Sequence, residues 1–303
     1  MNDYGSDGIY ITPRRVGEDG WELSIKALID NADCSHKARF TLIDADGNEK
    51  VSTIADLRPI ISAKLPVENP VLWNGRKNPY LYTVRCEIFD STTQEVTDNI
   101  DIRTGLREYH IDSHKGFFLN GEHIKLQGVS RHQDRENMGN AITEKQHAED
   151  VKIILDVGAN SVRLAHYQQN SYFYDLCDES GLLVWAEVPV ISRFSPKRNE
   201  NAEQQLVELI KQNYNHPSIF CWGIENEITI AGSASKKLIT FLKHMHKVAR
   251  HLDPTRYTTC AQLTMCPVNS PLNHITDIIG YNHYYGWYMG SCDEINNWLD
   301  EWH

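Results

Sequence analysis

The chain has 303 residues, 41% of them hydrophobic and 23% charged, with a formal net charge of -11 at neutral pH. That length allows two domains, and the acidic balance argues against a nucleic-acid partner, which needs clustered Lys and Arg. No apolar run approaches the roughly 18 residues of a membrane helix, so no membrane partner is expected. The first residues show no signal-peptide pattern. The 7 cysteines are odd in number and scattered, with no Cys-x-x-Cys. Cys86, Cys177, Cys221 and Cys260 lie in apolar surroundings and read as buried thiols. A reducing, cytoplasmic setting is the expectation.

Residues from about 8 to 105 alternate with period two. Trp21, Leu23, Ile25, Ala27 and Ile29 share one face. Ala38, Phe40 and Leu42 form a second row ending in an Asp46-Gly47 turn, and Tyr82, Val84, Cys86 and Ile88 a third. Half-buried strands joined by turns, without helical patterns, predict an all-β sandwich over 1–108. Nothing there concentrates ionisable groups, so the region reads as structural.

From 109 to 303 short apolar runs alternate with helical patterns. Strands are predicted at His123–Val129, Asn160–Leu164, Leu182–Ala186, Ser218–Ile224, Tyr257–Leu263 and Asp277–Asn282. The first helix has capping-box spacing at Thr143 and Gln146 and an apolar face of Val151, Ile154 and Val157. The second packs Phe173, Leu176 and Cys177 and stops at Gly181. Leu206, Leu209 and Ile210 mark the third. Leu238, Phe241, Leu242, Met245, Val248 and Leu252 mark a strong fourth. Ile295–Trp302 begins a fifth.

Alternating strand and helix predicts a parallel sheet flanked by helices. Polar residues gather at the strand ends: His132, Arg163 and His166, Glu187, Asn226 and Glu227, then Asn282 and Tyr284. That is the layout of a (β/α)₈ TIM barrel, whose site lies at the carboxyl ends of the strands. A doubly wound sheet is the competing fold, but Gly128-Val-Ser-Arg131 is not the glycine-rich turn it would want. Six strands are predicted where a closed barrel needs eight. Either the remaining units lie outside this chain or the barrel is closed some other way, since an open sheet would leave two apolar edges.

The stretch from Asn215 to Glu227, Asn-His-Pro-Ser-Ile-Phe-Cys-Trp-Gly-Ile-Glu-Asn-Glu, is a buried strand ending on an amide between two carboxylates. It resembles the acid/base signature of family 2 glycoside hydrolases, the β-galactosidases, β-glucuronidases and β-mannosidases. Four further stretches resemble the family in order: Leu119 to His132, Asn160 to Tyr167, Tyr174 to Glu187 and Asp277 to Tyr288. The family places an immunoglobulin-like sandwich directly before its barrel, so the resemblance covers nearly the whole chain.

The resemblance implies a retaining glycosidase, with an acid/base and a nucleophilic carboxyl roughly 5–5.5 Å apart. Glu227 is then the acid/base, and Asn226 the contact to the sugar 2-hydroxyl. His132 and His166 become sugar-hydroxyl contacts, with satisfied barrel histidines as the other reading. Arg163 would hold the nucleophile ionised, and Tyr284 would face it. Glu187 would support the site or form a core salt bridge. Asn282 would line the site or cap its strand, and Glu225 would be structural. The family nucleophile lies on a seventh strand, so it falls outside this chain, which should be inactive alone.

No cofactor is expected. Some family members bind Mg²⁺ after the third strand, but Val188-Pro-Val-Ile-Ser-Arg193 offers no carboxylate or imidazole. Arg131-His132-Gln133-Asp134 resembles the β-galactosidases most, which implies a β-galactoside as carbohydrate partner. β-Glucuronidase and β-mannosidase are the alternatives, and a non-catalytic carbohydrate-binding fragment is the competing class. A homo-oligomer is compatible with the pattern.

Overall fold

The structure is a computed structural model and describes residues 3–17 and 20–300. The chain divides into two compact units. One comprises Met1–Arg163, Gln169–Val184 and Ile210–Phe220, the other Leu164–Gln168, Trp185–Leu209 and Cys221–His303.

The first unit contains the predicted sandwich. Its strands are β1 (Ile9–Val16), β2 (Gly20–Leu28), β3 (His36–Ile43), β4 (Glu49–Asp56), β5 (Ile60–Glu68), β6 (Tyr82–Asp90) and β7 (Val96–Thr104). They form two sheets, in the orders β1-β2-β5 and β4-β3-β6-β7. Period-two alternation puts Trp21, Leu23, Ile25 and Ala27 in one core with Ala38, Phe40, Leu42, Val84 and Cys86. Ile29 lies just past β2 and packs against that core half-buried. Ile88 departs from the prediction. The ladder between β6 and β7 shifts register at Ile88/Phe89, so Phe89 is buried in its place.

A small sheet of β8 (Tyr109–Asp112), β9 (Gly116–Leu119) and β10 (Glu122–His123) follows. The predicted strand at His123–Val129 is therefore corrected. His123 ends a hairpin with Phe118, and the parallel sheet begins later, at β11 (Gly128–Arg131).

Then come α1 (Glu144–Asp156), β12 (Ser161–Leu164), α2 (Ser171–Ser180), β13 (Leu183–Glu187), α3 (Asn199–Gln212), β14 (Ile219–Asn226), α4 (Lys236–Leu252), β15 (Tyr257–Leu263), β16 (Ile278–Asn282) and α5 (Ile295–Asp300). Trp302, predicted in the last helix, lies outside the described residues. The sheet runs β11-β12-β13-β14-β15-β16. Chain order without reversal is barrel order; a doubly wound sheet reverses at a switch point. The pairings of β14 with β15 and of β15 with β16 are parallel.

The Thr143 and Gln146 capping box forms. The buried face of α1 is His147, Val151 and Ile154. Val157 is its C-cap and is exposed, because the chain leaves the helix there. On α2, Leu176 is half-buried while Phe173, Tyr174, Cys177 and Asp178 are buried, and Gly181 closes the helix in the left-handed conformation. On α4, Ala249 replaces half-buried Val248 in the buried face. Cys86, Cys177, Cys221 and Cys260 are buried and free, as expected.

Candidate active site

Every residue of β14 is buried. Its ladder with β15 shifts register between Gly223 and Asn226, and such a shift re-aims side chains near a strand end. Asn226 N–H donates to Val190 O at 2.9 Å, and Glu227 N–H to Ala261 O at 2.8 Å. Glu227 itself has a φ of 48°, a left-handed conformation that non-glycine residues seldom take.

Side chains from the end of β16 and just past it close on this strand end. Asn282 Nδ2 donates to Asn226 Oδ1 and to Glu227 Oε1, each at 2.9 Å. Tyr284 O–H donates to the same Oε1 at 3.3 Å. Glu227 is buried and Tyr284 exposed. Asn282 thus joins Asn226 to Glu227.

On β13, Glu187 is buried, and its Oε2 accepts from His166 Nδ1 at 2.7 Å. The space beside it is set by glycine. A Cβ on Gly223 would lie 2.6 Å from both Glu187 Cγ and Trp185 Nε1. The second unit therefore brings together Glu227, Asn226, Asn282 and Tyr284, and forms the Glu187–His166 pair.

His132 and Arg163 belong to the first unit. His132 is exposed just after β11, and Arg163 is half-buried on β12. Their neighbour Arg131 has a structural task. Its guanidinium lies 3.9 Å over the Phe173 ring. It donates to Asp150 Oδ2 at 2.7 Å, to His147 Nδ1 at 3.0 Å and to Gln169 Oε1.

The stretch after β13 does not fit a hard dication, which takes oxygen ligands from carboxylates. It carries hydrophobic residues, Ser192 and Arg193, and Ile191 bridges Asn226 as a short strand extension. In the first unit, Asp175, Asp178 and His216 bring three ligand-type atoms within 4.8 Å. Those groups are already engaged: Asp175 with Arg103 at 2.7 Å, and Asp178 with His216 at 2.6 Å and Ser218 N–H at 3.0 Å.

Two features escaped sequence reasoning. Glu225 is buried, and its Oε2 accepts the Ile228 N–H at 3.1 Å. Asp253 accepts from Trp222 Nε1 at 3.0 Å and Arg256 at 2.7 Å. The signal for the second was an Asp three residues before an Arg, just past a helix end.

Comparisons with known proteins place the chain in a family. The description "Glycosyl hydrolases family 2, TIM barrel domain" matches residues 111–303, and "Glycosyl hydrolases family 2" matches residues 7–107. A Beta-glucuronidase of Bacteroides fragilis is 37% identical, over 99% of this chain and 44% of its own length. A Beta-galactosidase of Thermoanaerobacter pseudethanolicus is 30% identical, over 85% of this chain and 34% of its own length. The crystal structure of an FMN-binding beta-glucuronidase from Facaelibacterium prausnitzii L2-6 aligns with a TM-score of 0.95 and 41% identity, covering 99% of this chain and 46% of that one. The chain thus spans less than half the length of these relatives. Matched along both its sandwich and its parallel sheet, the chain belongs to the glycosyl hydrolases family 2.

Proposed function

We propose that residues 109–303 carry the acid/base half of a retaining β-glycosidase site, with the sandwich of 1–108 before it. The observation that supports this best is the hold on Glu227. Asn282 and Tyr284 both donate to its Oε1, which leaves Oε2 to carry and deliver a proton. In the first step Glu227 protonates the glycosidic oxygen while a nucleophilic carboxylate attacks the anomeric carbon. The bond to the leaving group breaks as the carboxylate–carbon bond forms. Glu227, now anionic, then takes a proton from water, and the water oxygen displaces the carboxylate with net retention.

Asn226 contacts the sugar 2-hydroxyl in this reading, and His132 and His166 contact other hydroxyls. Glu187 orients His166, and Arg163 keeps the nucleophile ionised. Tyr284 reaches from Glu227 toward that nucleophile. By family pattern the nucleophile sits on a seventh strand, so this chain alone binds sugar without turning it over. The donor set after β13 supports a reaction without a Mg²⁺ site there.

β-Glucuronides are the first substrate class, because the B. fragilis relative and the F. prausnitzii structure both carry that name. β-Galactosides are the second, supported by the T. pseudethanolicus relative. Arg131 no longer favours them, since its side chain is spent on Asp150, Gln169 and His147.

The test is hydrolysis and binding of nitrophenyl β-glucuronide, β-galactoside and β-mannoside by the folded chain, beside Glu227→Gln. Saturation-transfer NMR reads binding. Binding of one sugar without turnover is expected. Turnover that disappears in Glu227→Gln would keep Glu227 as acid/base but put the second carboxylate inside this chain, with Glu187 the first suspect. A folded chain that neither binds nor hydrolyses any of the three overturns the reading.

A further inference from the structure

We infer that Glu225 is a positioning residue for Glu227, acting through the turn between them. The inference rests on the acid/base role proposed above. Three successive backbone amides fix that turn. The first two, of Asn226 and Glu227, donate to main-chain carbonyls of neighbouring segments. The third, of Ile228, donates to a side chain: Glu225 Oε2, at 3.1 Å. Glu225 and Ile228 are 1% and 2% exposed, so water cannot replace the carboxylate as acceptor.

The clamp spans the residue that needs holding. Glu227 occupies the left-handed region with a φ of 48°, although it has a Cβ and therefore favours other conformations. Such conformations persist only where the surroundings over-determine them. The Ile230 N–H to Glu227 O bond at 2.9 Å continues the turn but leaves the Ile228 amide to Glu225 alone. With that amide released, residue 227 is free to relax toward negative φ, and its carboxylate would swing away from Asn282 and Tyr284.

Glu225 is itself held in place. The register shift between Gly223 and Asn226 ends the regular ladder around it. Its carboxylate lies against the Cys260 thiol, and burial first, then Glu225, pushes that thiol well above its ordinary pKa. The thiol therefore stays neutral beside the carboxylate.

The experiment is NMR on the 303-residue chain with backbone assignment of 224–230. Three variants are compared. Glu225→Gln keeps an acceptor at the same reach. Glu225→Met removes it at similar volume, and Glu225→Asp withdraws it by one methylene while keeping the charge. In the parent chain the Glu227 Cα and Cβ shifts carry the left-handed signature. Glu225→Met and Glu225→Asp should lose that signature and exchange the Ile228 amide about tenfold faster or more. Glu225→Gln should retain both features. Retention of the left-handed signature in Glu225→Asp, or its loss in Glu225→Gln, overturns the inference. If Glu225→Met does not fold, the Asp and Gln pair decides alone. These readouts need no turnover, so they stand apart from the hydrolysis assay that tests the acid/base role.

Discussion

Asn282 and Glu227, at the ends of two strands of the second unit with β15 between them, are joined by one 2.9 Å hydrogen bond from the Asn282 amide to the Glu227 carboxylate. The same amide nitrogen reaches Asn226. A bond to a charged group contributes about 1.5–3 kcal/mol. Asn282→Asp replaces the donor with a second carboxylate beside Glu227. It should lower the thermal midpoint more than Asn282→Ala does, read by calorimetry at neutral pH.

Glu187 accepts from His166 Nδ1, which pins that tautomer. Glu187→Gln offers both donor and acceptor atoms and removes the constraint. The ¹⁵N shifts of His166 should report a single Nδ1–H form in the parent and a mixture in the variant. A mixture already present in the parent would contradict the pairing.

Gly223→Ala would drive a methyl into Glu187 Cγ and Trp185 Nε1 at 2.6 Å. Overpacking of this kind costs about 1–3 kcal/mol. The expected result is a folded but less stable chain with altered Glu187–His166 geometry, read by urea unfolding and the same ¹⁵N shifts.

Asp253 is fully buried against Arg256 and Trp222. Burial alone would raise its pKa, but Arg256, Thr255 and Trp222 together hold it at about 2. The native state therefore releases this proton more readily than the unfolded chain, whose Asp titrates near about 3.9. Its contribution is complete above that value and is lost as pH falls toward about 2. Asp253→Asn leaves the buried Arg256 charge without its partner and should cost about 3–5 kcal/mol at neutral pH. Urea titrations across that acid window should show a shallower pH dependence in the variant.

His147 lies buried beneath Arg131. Burial first, then the Arg131 cation, lowers its pKa. The native imidazole stays neutral where the unfolded one, at about 6.5, begins to charge. Stability from this site is thus present above about pH 6.5 and declines as pH falls toward the lower native value. His147→Gln keeps an acceptor for Arg131 and should flatten that decline in denaturant titrations between about pH 8 and pH 5.

Much of this was readable from residue order. Alternation found the sandwich rows because β-strand side chains point to opposite faces at every step. The capping box at Thr143 and the stop at Gly181 were legible because they are local hydrogen-bonding and backbone preferences. Ile88, Val157 and the early strand at His123 were misread for a common reason. A register shift, a helix end and a hairpin each redirect the chain, and the apolar pattern runs on through all three.

Sequence by itself determined that Asn226 and Glu227 end a buried strand, and the resemblance identified them as the acid/base signature. It also predicted the alternation of strand and helix that the structure shows from β11 onward. Only the tertiary structure decided that Asn282 and Tyr284 hold Glu227, that Glu187 belongs to His166, and that Arg131 belongs to the packing of the first unit. It also gave Glu225, expected to be structural, its task as the acceptor for Ile228. The physical reason is distance along the chain. Fifty-five residues separate Asn282 from Glu227, and no local propensity encodes a hydrogen bond across that gap. Only the order of the sheet, with β15 between them, brings the two strand ends within reach of each other.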